Sequence, residues 1–170
     1  MSYPLASVVL ASGLLVLVAG WDIARRRIPN WINAALAVTG LGAQAHYHGG
    51  WGLLGGLGAA LATLVVLWAP WSRGWLGGGD VKAALCAAIW LGPGSLPWFY
   101  LLTAVAGGVA AGLCLLGSST RARREVADNL ELMALQNRLP DVPISGGAGR
   151  VSVPVGAALA AAALLLLWWR

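Results

Sequence analysis

The chain has 170 residues, of which 59% are hydrophobic and only 10% charged, with a formal net charge of +5. A soluble domain carries about 25% charged residues, so there is too little polar surface here to cover a water-soluble globule. The basic excess does not point to nucleic acid: it sits in short tracts between apolar runs, where it sets topology and meets anionic lipid.

The apolar runs are continuous rather than alternating, which selects helices over a barrel in lipid. The first is roughly Pro4 to Trp21. Arg25, Arg26 and Arg27 follow it and no Lys or Arg precedes it, the opposite polarity to a signal peptide, so a retained span is expected. Further runs cover roughly Trp31 to Tyr47, Trp51 to Trp68, Val81 to Gly92, Pro97 to Leu116 and Val151 to Trp169. The run from Val81 is the shortest. Together they predict one all-α, polytopic integral membrane domain over residues 1–170, with about six transmembrane helices. The tryptophans near many run ends fit interfacial belts. Between the last two runs lies a polar segment, about 118–150, where Val126, Leu130 and Met133 recur at helical spacing; it reads as a surface-lying helix or a solvated connector.

Charge placement supports the count of six. Arg25, Arg26, Arg27, Arg73, Lys82 and the five arginines from Arg121 to Arg150 then share one side, and the positive-inside rule makes it the cytoplasm. The expected location is the cytoplasmic (inner) membrane, multi-pass, with both termini extracytoplasmic. Gly52 with Gly56, and Gly108 with Gly112, have the spacing that lets membrane helices approach closely. Cys86 and Cys114 sit singly in apolar runs and read as packing residues, and His46 and His48 as interfacial ones. No metal or cofactor is expected.

Four of the six acidic residues, Glu125, Asp128, Glu131 and Asp141, fall in the polar segment. Asp22 and Asp80 are the only acids in or beside the spans, and the predicted topology puts both at the same membrane face. An ionisable group there is a functional candidate by default. Asp22 precedes Ile28-Pro29-Asn30, where Asn caps and Pro suits a helix start. Asp80 ends the run Gly77-Gly78-Gly79, which lets another backbone come close. Two nearby carboxyls can share one proton near neutrality and so serve as general acid and general base in peptide hydrolysis. Structural roles, as helix caps or as partners of Arg25 or Lys82, would use the same residues. So would a small membrane transport or binding component with the aspartates as a proton or ion site.

Asp22 with Ile28-Pro29-Asn30, then Gly77-Gly78-Gly79-Asp80-Val81-Lys82, resemble the two signature segments of the type IV prepilin peptidase family, polytopic aspartic proteases of the GxGD type. Residues Val153-Pro154-Val155-Gly156 and the alanines after them are similar to that family's last span. The resemblance implies Asp22 and Asp80 as the catalytic pair, with Gly77, Gly79, Pro29 and Asn30 in support. It implies a prepilin or pseudopilin precursor as substrate, cut after a short basic leader on the cytoplasmic side. The chain resembles the short peptidases associated with tight-adherence pili: it lacks the paired CxxC motifs of longer members, and methyltransferase activity is not expected. The GxGD is also similar to that of presenilin-type proteases, whose span count is larger. Neither the oligomeric state nor the role of Lys82 is fixed by these motifs; for Lys82 a topological or lipid-facing role is expected.

Overall fold

The computed structural model describes residues 3–118, 120 and 153–169. The described residues are helical throughout: α1 (Leu5–Arg25), α2 (Asn30–Ser72), α3 (Gly78–Leu91), a 3-10 turn (Pro93–Ser95), α4 (Leu96–Leu116) and α5 (Val155–Trp169). The expected surface helix within 118–150 falls almost wholly outside them. Three helical stretches, α1, α2 and Pro93–Leu116, are long and apolar enough to cross a membrane. Their outward faces are apolar, as in Val38, Leu61, Val65, Leu113 and Leu116. That is the pattern of helices solvated by lipid.

α2 is a helical hairpin. Gly49 breaks it at φ 64° and ψ −158°, a backbone conformation that suits glycine. A β-carbon placed on Gly56 would lie 3.2 Å from Gln44 Cγ. Twelve residues along a straight helix would put these positions about 18 Å apart, so the chain reverses at Gly49. The two limbs match the expected runs Trp31 to Tyr47 and Trp51 to Trp68. Gly52 and Gly56 are where the limbs touch, as their spacing suggests. Gly108 and Gly112 differ: nothing lies within 4 Å of a β-carbon on either. Their spacing does not mark a helix contact among the described residues.

α3 is the centre of the bundle. It packs chiefly on α2 and also on α5, and α5 in turn lies against α1 and α4. Nine of its 14 residues are buried, most of them small, which lets α2 come close. Trp90 is the large exception. Its indole fits over Gly40, and Nε1 donates to the Leu36 carbonyl at 2.9 Å. Fourteen residues make a helix about 21 Å long, shorter than the roughly 30 Å hydrocarbon layer. Its last carbonyls are met by side chains. Gln44 Nε2 donates to Ile89 O at 2.7 Å, and the Tyr3 hydroxyl donates to Trp90 O at 2.9 Å. His48 Nδ1 lies 3.1 Å from Gln44 Oε1 and holds that amide in place. Such satisfaction is required of a helix that ends inside a low-dielectric layer.

A matched pair of glycines tests this packing. A β-carbon at Gly40 would lie 2.8 Å from Trp90 Cδ1 and Nε1, whereas at Gly42 it meets nothing within 4 Å. Gly40→Ala is expected to destabilise the detergent-purified protein by about 1–3 kcal/mol. Gly42→Ala should be neutral or stabilise by up to about 1 kcal/mol through helix propensity. Thermal unfolding of the two variants side by side checks the difference.

Candidate active site

α1 ends one turn after Asp22. Arg26 adopts the left-handed conformation, φ 53° and ψ 29°, and its N–H donates to Asp22 O at 2.9 Å. A residue with a β-carbon pays about 1–2 kcal/mol for that conformation. The cap turns the chain sharply, so that Arg27, Ile28 and Pro29 run back past the start of α3. Pro29, extended at φ −62° and ψ 139°, is the residue before α2. Asn30 is already the first helical residue and makes no cap bond, which corrects the expectation that it caps. Its side chain serves elsewhere: Lys82 Nζ donates to Asn30 Oδ1 at 3.1 Å. Lys82 therefore has a protein partner, and the bond ties the Ile-Pro-Asn segment to the glycine-aspartate segment.

Gly77, extended at φ −69° and ψ 142°, precedes α3, and Asp80 stands in the first turn. The Asp80 carboxyl reaches back and accepts from the Gly77 N–H. This is the reciprocal half of a capping box. A β-carbon on Gly77 would lie 3.0 Å from Asp80 Oδ2, tighter than ordinary contact. One on Gly79 would lie 3.6 Å from Ile28 Cβ and 3.7 Å from Ile28 N. Glycine at 77 thus makes room for the Asp80 carboxyl, while Gly79 faces Ile28 at ordinary contact distance.

Both carboxyls converge on a third element. At the start of α5 the Val155 N–H bonds Val153 O, and the Ala158 N–H makes the first bond to Pro154 O. The two N–H groups between them point at the aspartates. Ala157 N donates to Asp22 Oδ2 at 3.1 Å, and the Gly156 N–H donates to Asp80. The free N–H groups and partial positive charge of a helix N-terminus favour anions there. Gly156 has to be glycine: a β-carbon would lie 2.7 Å from Ile28 Cδ1 and 3.0 Å from Asp22 Cγ.

Asp22 is only 6% exposed, while Asp80 is half-buried. Asp80 precedes the apolar stretch that starts at Val81. Burial raises its pKa most and the Asp22 charge raises it further; the Gly77 and Gly156 N–H groups oppose them, and the result is a pKa pushed up to about 6. Asp22 and Asp80, with Arg26, Arg27, Ile28, Gly77 and Gly79, line a cavity of about 250 Å³. Of the residues singled out in the sequence, Asp22, Asp80, Gly77 and Gly79 thus share the lining of one cavity. Pro29 and Asn30 do not line the cavity; they follow Ile28 into α2, and Asn30 bonds Lys82. The Gly156 and Ala157 backbone donors carry no side-chain signature; the one sequence clue to them was the Pro-Gly start of the last run. Ile28 was read only as part of the Ile-Pro-Asn segment, yet it touches both Gly79 and Gly156.

A scan against protein-family models matches the type IV leader peptidase family over residues 9–112. No curated protein and no solved structure matches the chain. The match covers more than half of the chain and contains both aspartates, both signature segments and the glycines between them; the chain belongs to the type IV leader peptidase family.

Proposed function

We propose that this leader peptidase is an aspartic endopeptidase with Asp22 and Asp80 as its catalytic pair. The observation that carries the reading is the convergence of both carboxyls on the start of α5, in a cavity that opens beside them. Family membership supports a peptidase over a proton or ion site and implies prepilin-like substrates.

The chemistry follows from the two environments. Asp80 is the member that holds a proton, and it donates to the oxygen of the scissile carbonyl. Asp22 takes a proton from water, whose oxygen attacks the carbonyl carbon to give a tetrahedral diol. The C–N bond then breaks: the leaving nitrogen takes a proton from the Asp22 carboxyl, and one diol hydroxyl returns its proton to Asp80 as it becomes the carbonyl of the new carboxyl group, restoring the pair. The Gly156 and Ala157 N–H groups keep both carboxyls in place while their charges change.

The proposed substrate is a prepilin or pseudopilin precursor with a short basic leader, cut at the cytoplasmic face of the inner membrane. Six spans with both termini extracytoplasmic put the cavity on that face. In this topology Arg25, whose guanidinium lies 5.3 Å from the Trp21 ring, and Arg73, 5.5 Å from the Trp75 ring, sit at the cytoplasmic interface. The short form associated with tight-adherence pili remains the proposed subtype.

Co-expression with a candidate prepilin, with leader loss followed by mass, tests the reading. Asp22→Asn and Asp80→Asn should each insert normally and lower cleavage by roughly 10²–10⁴-fold. Cleavage that survives either substitution removes the pair mechanism. Because Asp80 gives up its proton as pH rises through about 6, kcat/KM should fall on that alkaline limb. A profile flat from about pH 5 to about pH 8 would contradict the assignment of the acid. Gly156→Ala should cut activity by tenfold or more by crowding Asp22, whereas Gly108→Ala, with open space around it, should leave activity unchanged.

A further inference from the structure

Ile28 presents an unusual combination. It is buried, at 9% exposure, yet its peptide groups are idle. Neither the N–H nor the C=O of Arg27 or Ile28 has a hydrogen-bond partner among the described residues. Arg27 is exposed and Ile28 faces the cavity, so these unpaired backbone groups are open to a partner from outside the chain. The residue before a proline is held extended, and Pro29 is extended itself. Arg27 and Ile28 line the cavity that holds Asp22 and Asp80. The facing wall includes Gly77 and Gly79, which carry no side chains. A β-carbon on Gly79 would lie 3.7 Å from Ile28 N and 3.9 Å from Ile28 O. It would not clash, but it would fill the space beside those groups.

A peptide about to be hydrolysed has to leave any helix and present an extended main chain, with alternate N–H and C=O groups facing one side. Unpaired extended backbone is the surface such a chain adds to. We propose that Arg27–Ile28 is an edge on which the main chain of the substrate docks as an added β-strand, alongside the two carboxyls. This rests on the peptidase reading above and gives it a binding mode. Recognition at this edge is by backbone, so it tolerates many side chains in the substrate, and the glycines opposite leave room for them. The strand would start where the substrate's own helix is unwound.

An N-methyl scan of a synthetic prepilin-like peptide tests the proposal with the enzyme unaltered. Each amide around the cut is methylated in turn, and kcat/KM is measured with the full-length protein in detergent. The expected result is a loss of about tenfold at alternate positions, with the amides between them silent. Losses without alternation, or no losses, would overturn strand addition while leaving the peptidase standing. An unmodified peptide that is not cleaved would sink the peptidase reading and the docking edge together. Gly79→Ala supplies a second readout: KM should rise about tenfold with kcat little changed, as expected for lost ground-state binding. A KM equal to wild type would count against the edge.

Discussion

Two consecutive backbone N–H groups, those of Gly156 and Ala157, each hold one of the two buried or half-buried carboxyls, and much of the architecture serves that arrangement. A carboxyl inside an apolar bundle is costly unless it is hydrogen-bonded. The start of a helix offers donors that are otherwise unpaired, together with a favourable partial charge. The absence of β-carbons at Gly77 and Gly156 leaves room for the carboxyls and for Ile28 around one small space. The left-handed turn at Arg26 and the Lys82–Asn30 bond complete the enclosure.

The same economy of space shapes α3. Its small residues let the α2 hairpin wrap it, and its length falls short of the lipid layer. One end carries Asp80; the other ends in carbonyls capped by Gln44 and Tyr3 from α2 and the segment before α1. A helix pinned at both ends gives Asp80 a firm base.

Much of this was legible in the sequence. Long apolar runs announced α1, both limbs of α2, and α4, because lipid demands about 20 apolar residues per crossing. Charge placement put Asp22 and Asp80 at one membrane face, since acids are scarce in apolar spans and arginines mark one side, and the resemblance of their two motifs to a known family paired them. The failures have physical causes. Asn30 was expected to cap α2, yet Pro29 holds that place and the Asn30 side chain is drawn to Lys82. Gly108 and Gly112 have the spacing of a helix contact but meet nothing within 4 Å among the described residues, because spacing alone does not say whether a second helix lies opposite. The donors at Gly156 and Ala157 belong to the backbone, which every residue but proline possesses, so no residue type betrays them. Arg26 in a left-handed cap runs against the preference for glycine there.

The bond between Ala157 and Asp22 also joins residues 135 positions apart. At about 5–20 residues per second of synthesis, the donor is made roughly 7–27 s after the carboxyl it holds. During that interval α1 to α4 can enter the membrane and pack, but the two aspartates lack the clamp that orders them. If the pair works as proposed, biogenesis contains its own safety catch: a half-made chain carries both acids but not the bond from α5 that holds Asp22.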